Sequence, residues 1–193
     1  MLMLALAVTC IANAQEGTIL VGGNVGLSSD KIGDNKESSF EFSPTVGYQF
    51  NENMTIGIQT SILNSKEDVS TVVGNGIVLS EQKINTLKVG AFYRYTKPLS
   101  ELFSVFADVS AGYQAAKAEY AINNISYEEK SNGFYAGITP ALFINMKNSF
   151  GLNFSIGGIQ YSSLKSDTTP SVKSSSFDFN FGKTVNIGIS KNF

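Results

Sequence analysis

The stretch that most constrains this chain runs from Phe177 to Phe193, F-D-F-N-F-G-K-T-V-N-I-G-I-S-K-N-F. Its odd positions carry Phe177, Phe179, Phe181, Lys183, Val185, Ile187, Ile189, Lys191 and Phe193. Its even positions carry Asp178, Asn180, Gly182, Thr184, Asn186, Gly188, Ser190 and Asn192. A period of two puts the first set on one face of an extended backbone and the second on the other. The stretch is therefore read as a β-strand with one apolar and one polar face.

The same alternation recurs along the chain. Apolar faces are read at Ile19, Val21, Val25 and Leu27; at Phe40, Phe42, Val46, Tyr48 and Phe50; and at Met54, Ile56, Ile58 and Ile62. They continue at Leu87, Val89, Tyr93 and Tyr95; at Phe103, Val105, Val109 and Tyr113; at Phe134, Ile138, Leu142 and Ile144; and at Phe150, Leu152, Phe154 and Ile156. With the last strand this makes eight. Connections alternate in length: long over 29–38, short over 51–53, long over 63–82, short over 96–102, long up to Ser131, short over 146–149 and long over 162–174. That rhythm is expected of an all-β, eight-stranded antiparallel up-and-down barrel with both termini on its short-turn side.

Alternation alone does not say which face meets lipid. A soluble lipocalin-like ligand-binding barrel would turn its apolar face inward. The polar faces here are mostly Gly, Ser, Thr, Asn and Gln, and charged residues make up 16% of the chain, against about 25% for a soluble domain. Small uncharged side chains suit the inside of a narrow barrel. Tyr48, Phe50, Tyr93, Tyr95, Phe103 and Phe193 near the short turns, and Phe40, Phe42, Tyr113, Phe134 and Tyr161 near the long loops, read as two aromatic rows at the membrane interfaces. The reading is a transmembrane barrel. Lys183 then falls on the lipid face, near the outer headgroups, where it can snorkel.

The alternating terminal strand ending in Phe193 resembles the small outer-membrane β-barrels of the OmpX/OmpA type, apart from Lys191, where that family has an aromatic or aliphatic residue. The resemblance implies the outer membrane of a Gram-negative bacterium, outer-membrane lipid and lipopolysaccharide as surroundings, and a monomer. It also implies an assembly signal at Val185, Ile187, Ile189 and Phe193, read by the barrel-assembly machinery. Residues 1–14 read as a signal peptide with an Ala12-Asn13-Ala14 cleavage site, leaving 15–193 as the barrel domain. Cys10, the only cysteine, falls within the leader, and no nucleic-acid partner is indicated.

Enzymes on this fold, as the resemblance implies, rely on a histidine, and the chain has none. Glu128 and Glu129 beside Lys130 read as a solvated charge cluster. No catalytic residue, metal site or cofactor is expected. The expected function is structural or surface-interacting (adhesion-like), without a wide pore; a small solute pore is the alternative. Glu41, Lys88, Arg94 and Asp108 should point into the lumen as a charge network, either a plug or gate or an ion-pair network that satisfies buried charge.

Pairing Tyr95 with Phe103 sets Lys88 diagonal to Asp108 and predicts an ion pair there. A two-residue turn at Asn123-Asn124 pairs Tyr113 with Phe134 and Val109 with Ile138. Asn75-Gly76, between Val72-Val73 and Ile77-Val78, reads as a type I′ hairpin turn. It pairs Ile62 with Val89 and Ile58 with Tyr93, and predicts one hairpin from Met54 to Thr96. About ten residues per strand cross a membrane, so the rest should project as a two-stranded rib, with an extracellular partner engaged through 63–86. Pro44 and Pro140, in mid-strand, each predict a bulge or displaced ladder, and Gly157-Gly158 a bulge.

Overall fold

A computed structural model describes residues 17–32, 35–73, 76–122, 125–147 and 150–193. The expected leader, Asn75 and the Asn123-Asn124 turn lie outside these residues, and so does the side chain of Lys183. Eight strands follow one another: β1 (Thr18–Ile32), β2 (Asn35–Gln49), β3 (Met54–Val73), β4 (Gly76–Pro98), β5 (Phe103–Ile122), β6 (Ile125–Lys147), β7 (Phe150–Ser166) and β8 (Lys173–Asn192). Each pairs with the next, and β8 returns to β1 to close a barrel. At closure the backbones of Ile19 and Phe193 exchange both hydrogen bonds, at 3.0 and 2.9 Å.

The barrel is inside-out relative to a water-soluble one. Its buried side chains include Arg94, Gln114, Thr55 and Ser61, while Ile58, Phe134, Phe177 and Phe179 are each about two-thirds exposed on the outer wall. Apolar side chains facing outward on every strand require an apolar medium around the barrel.

Strands extend further than alternation indicated. The expected polar loop over 29–38 is strand up to Ile32 and again from Asn35, with Ser29 paired to Ser38 and a hydroxyl bond of 2.7 Å between Ser28 and Ser39. Polar and charged side chains (Asp30, Lys31, Lys36, Glu37) occupy the strand there without an apolar face, so the period-two signal fades while the ladder continues. The hairpin of β5 and β6 has the predicted register, with Tyr113 opposite Phe134, rings edge-to-face at 6.3 Å, and Val109 opposite Ile138.

Two registers differ from expectation. In the hairpin of β3 and β4, Ile62 pairs with Leu87 and Ile58 with Ala91, rather than with Val89 and Tyr93. Gly76 opens β4 opposite Val73, so the connection falls on residues 74–75 rather than on Asn75-Gly76. Between β4 and β5, Tyr95 pairs with Ala107, not Phe103. The cause is the tightness of the turn. The Ser100 hydroxyl accepts the backbone N–H groups of Phe103 (3.1 Å) and Leu102 (3.3 Å), which lets β4 run on to Pro98.

The prolines act as anticipated, in two ways. At Pro44 the β2–β3 ladder skips from Phe42–Ile62 to Thr45–Gln59 without changing register. At Pro140 the β6–β7 register shifts between Ile138 and Ala141. Gly157, with φ of 97°, sits at a second shift, between β7 and β8.

Candidate functional site

The lumen is divided by an ion pair. Arg94 on β4 lies directly opposite Asp108 on β5, and the two form a bidentate pair, Nε to Oδ1 at 2.7 Å and Nη2 to Oδ2 at 2.8 Å. Register dictates this, since opposed residues on one face bring long side chains together. The guanidinium lies over the Phe106 ring at 3.8 Å, with Phe92 on another side at 5.6 Å. Arg94, Phe92 and Phe106 are all buried. Charge-assisted bonds and an aromatic face together satisfy a cation that water cannot surround.

Asp108 lines a central cavity of about 290 Å³, and Arg94 lines a second cavity of about 350 Å³ toward the short turns. The pair, with Phe106, which also lines the second cavity, therefore stands as a septum between them. The expected Lys88–Asp108 pair does not form. The β4–β5 register moves Lys88 opposite Gln114, and its ammonium sits 5.5 Å from the Tyr135 ring. Glu41 does not join Asp108 either. Its Oε1 accepts hydrogen bonds from Ser61 (2.7 Å) and Ser43 (2.9 Å). The four lumen charges thus all face inward, as read from the sequence, but only Arg94 and Asp108 pair.

Two aromatic residues on the polar faces, Phe92 and Tyr135, fill the lumen over pairs of glycines. Gly47 and Gly57 lie opposite each other, with Phe92 opposite Gly57. A Cβ at either glycine would crowd the Phe92 ring. Gly90 and Gly112 form the matching floor under Tyr135. Phe92 and Phe106 were missed as site residues. The available signal was an aromatic on an otherwise polar strand face beside an Arg and an Asp.

Beyond the apolar belt, β3 to β6 continue as a sheet. The β4–β5 ladder reaches Gln82–Tyr120, and β2 accompanies β3 to Glu37–Glu67. Only 68–73 and 76–81 are two-stranded, so the rib is shorter than predicted, although the hairpin of Met54 to Thr96 is continuous. Val72 pairs with Ile77 and Val78 with Thr71 there. On the outer face Lys117 bridges Glu119 and Glu128, both at 2.8 Å, and Lys130 reaches Glu128 at 3.0 Å. The hydrogen bonds from Lys117 and then Lys130 hold the Glu128 carboxyl below its ordinary range, and Glu119 and Glu128 raise Lys117. On the other face Tyr120 and Tyr127 stack at 5.5 Å.

At the assembly-signal positions, Val185, Ile187 and Ile189 are about half exposed on the outer wall, and the Lys191 ammonium lies 4.6 Å from the Phe193 ring. Among the described residues no group of His, Cys, Asp and Glu is arranged to hold a metal ion.

Comparison with solved structures gives the same architecture. The chain is similar to the outer membrane protein OprG from Pseudomonas aeruginosa (15% identity, 93% of this chain and 97% of that one, TM-score 0.57). It is also similar to a major outer membrane protein from Thermus thermophilus (12%, 92% and 99%, TM-score 0.54). A further match is Ail, the attachment invasion locus protein of Yersinia pestis (18%, 92% and 99%, TM-score 0.43). A search of curated proteins finds no relative. The family profile described as the outer membrane protein beta-barrel domain matches residues 1–191, and with the closed eight-stranded wall and its outward apolar belt, this chain belongs to that family and is an integral protein of the Gram-negative outer membrane.

Proposed function

We propose that this protein is a non-enzymatic surface-interaction barrel whose adhesive element is the sheet projecting beyond the membrane. The observation that carries this is the β3–β4 ladder, unbroken from Met54–Tyr95 to Val73–Gly76, roughly twice the ten or so residues that a crossing needs. At its tip both edges are left without a neighbouring strand over 68–73 and 76–81, among the described residues. Unpaired backbone N–H and C=O groups offer a docking edge to an extended segment of an extracellular protein. The septum supports a barrel without a wide pore, and a chain without histidine, whose Glu128 is tied to two lysines, supports a non-catalytic role.

The surroundings follow from outward charge. Lys66 opposite Lys83, Lys117 opposite Lys130 and Lys165 opposite Lys173 stand above the apolar belt, where lipopolysaccharide phosphates lie. The terminal strand with Val185, Ile187, Ile189 and Phe193 serves the barrel-assembly machinery, and the barrel acts as a monomer. Trimming 68–82 to a tight turn tests the adhesive role. Intact cells displaying the trimmed barrel are expected to lose binding to protein-coated surfaces at unchanged surface level, and unchanged binding refutes it.

A further inference from the structure

The closing seam of the barrel is only half zipped. Strands β1 and β8 pair from Leu20–Asn192 to Val25–Ile187. Above that, among the described residues, the strand ladders of β1 up to Ile32 are with β2, and those of β8 from Lys173 to Phe181 are with β7. Gly182 to Val185 belong to no described ladder on either side. A crease runs across the wall at this height: the register shift beside Pro140 in β6, Gly157 with φ of 97° in β7, and Gly182 with φ of 82° in β8.

The open stretch begins within the apolar belt, just above Val25–Ile187, and reaches its upper rim, where Phe179 pairs with Ile159 and Phe177 with Tyr161, all facing outward. A bare sheet edge is tolerated at that depth only where it is covered by protein or lines a water-filled cavity. The central cavity meets this condition, because residues of both seam strands line it: Asn24 from β1, and Asp178, Asn180 and Asn186 from β8. Ser174, Ser176 and Asp178, on the polar face of β8, are exposed, whereas Ser61 and Gln114 on the polar faces of β3 and β5 are buried. The septum stands at the floor of this cavity, and the upper mouth and the seam face outward.

The geometry points to a side portal through which a single-chain amphiphile enters from the outer leaflet, its hydroxyl-bearing, non-anionic head in the central cavity and its alkyl chain in the seam. Leu27 on one lip and Phe177 and Phe179 on the other are about 70% exposed apolar surfaces for that chain (76%, 69% and 67%). Inside, Asp108 is neutralised by Arg94, and Lys88 offsets one of Glu41 and Asp178. One negative charge remains among amides and hydroxyls, which disfavours a phosphate or carboxylate head. A volume of about 290 Å³ is at the small end of ligand pockets, ~300–1,000 Å³, and suits a head the size of one sugar ring.

The test uses the full barrel in lipid nanodiscs and octyl glucoside carrying a photoreactive diazirine on its sugar. Label is expected on cavity residues such as Asn24 and Asn186. It should fall to background when the L27C/V185C pair, introduced into residues 15–193, which contain no cysteine, is joined across the seam by a thiol-reactive linker with a reducible centre, and return on reduction. An equivalent photoreactive fatty acid should leave the cavity unlabelled. N24W, which fills the cavity from the seam side without a covalent bridge, should also abolish label in a barrel that keeps its heat-modifiable mobility. Cavity labelling that survives either change means entry by the upper mouth and overturns the portal. Label confined to outward residues, cavity labelling by the fatty acid, or cross-links that join two copies of the chain along β8 also overturn it.

Discussion

Removing the Asp108 carboxylate should damage this barrel more than any comparable polar deletion in its wall. In D108A the Arg94 guanidinium loses both bonds of its bidentate pair, 2.7 and 2.8 Å long, and keeps its charge. Bonds to charged groups contribute about 1.5–3 kcal/mol each, and breaking a buried pair by deleting one partner costs about 3–5 kcal/mol. Two features place D108A at the lower end. The Phe106 face, 3.8 Å away, still supports the cation, and the cavities flanking the septum can admit water to its free edge. The expected loss is therefore about 3 kcal/mol. The assay is urea unfolding of the barrel refolded into lipid vesicles, with the heat-modifiable gel shift as the readout. The double replacement R94M/D108L removes both charges and leaves apolar side chains in their place, so it should recover most of the loss, because uncompensated charge rather than lost contact dominates. D108A within about 0.5 kcal/mol of the parent, the range of an ordinary surface change, or a double variant no better than the single one, would refute this reasoning.

Gly112→Val should destabilise the barrel by about 1–3 kcal/mol, since a Cβ there would overlap the Val89 carbonyl and the Tyr135 ring; the same unfolding assay checks it. Planar bilayers holding the parent barrel should show little conductance, and D108A should raise it, because the ion pair stands between the two cavities. The projecting sheet should loosen in acid before the wall does. Glu128 and Glu81 have carboxyls lowered by Lys117 and Lys83 respectively, so their contribution is present above the unfolded carboxylate pKa of ~4.3 and lost as pH falls through the lower folded values. Amide exchange at 78–83 and 117–130 should accelerate over that acid range while exchange in 88–94 does not.

Face assignment was legible because parity is a strong signal: a slip of one residue would turn Ile58, Val89 or Tyr113 from lipid to lumen. Register was only half legible, because a slip of two leaves every face unchanged. The hairpin of β3 and β4 illustrates this. Ile62 meets Leu87 rather than Val89, and both partners are apolar, so alternation could not choose between them. The choice falls to turn geometry: the Ser100 hydroxyl and the backbone bonds from Leu99 and Ser100 to the Phe103 carbonyl tighten the turn before β5 and set Asp108 opposite Arg94 rather than beside Lys88. The serine-rich continuations of β1 and β2 escaped notice for another reason, since strands standing in water on both faces carry no apolar period. The half-zipped seam left no mark in the alternation, where Gly182 reads only as a member of the polar face.

The joining of the first strand to the eighth also sets how the barrel forms and fails. Every other pairing is between neighbours in the chain, whereas Leu20 meets Asn192 across the whole domain. Closing so long a loop gains nothing until the other strands are in place, so formation should be slow and end with this step. Its six strand pairs and the Ile19–Phe193 pair at its end, against fifteen pairs between β1 and β2, make it the shortest zipper in the wall. Forced opening should start here, and the lifetime of the folded barrel should depend on these few residues more than on the long hairpins: lengthening the zipper would slow unfolding far more than it would speed folding.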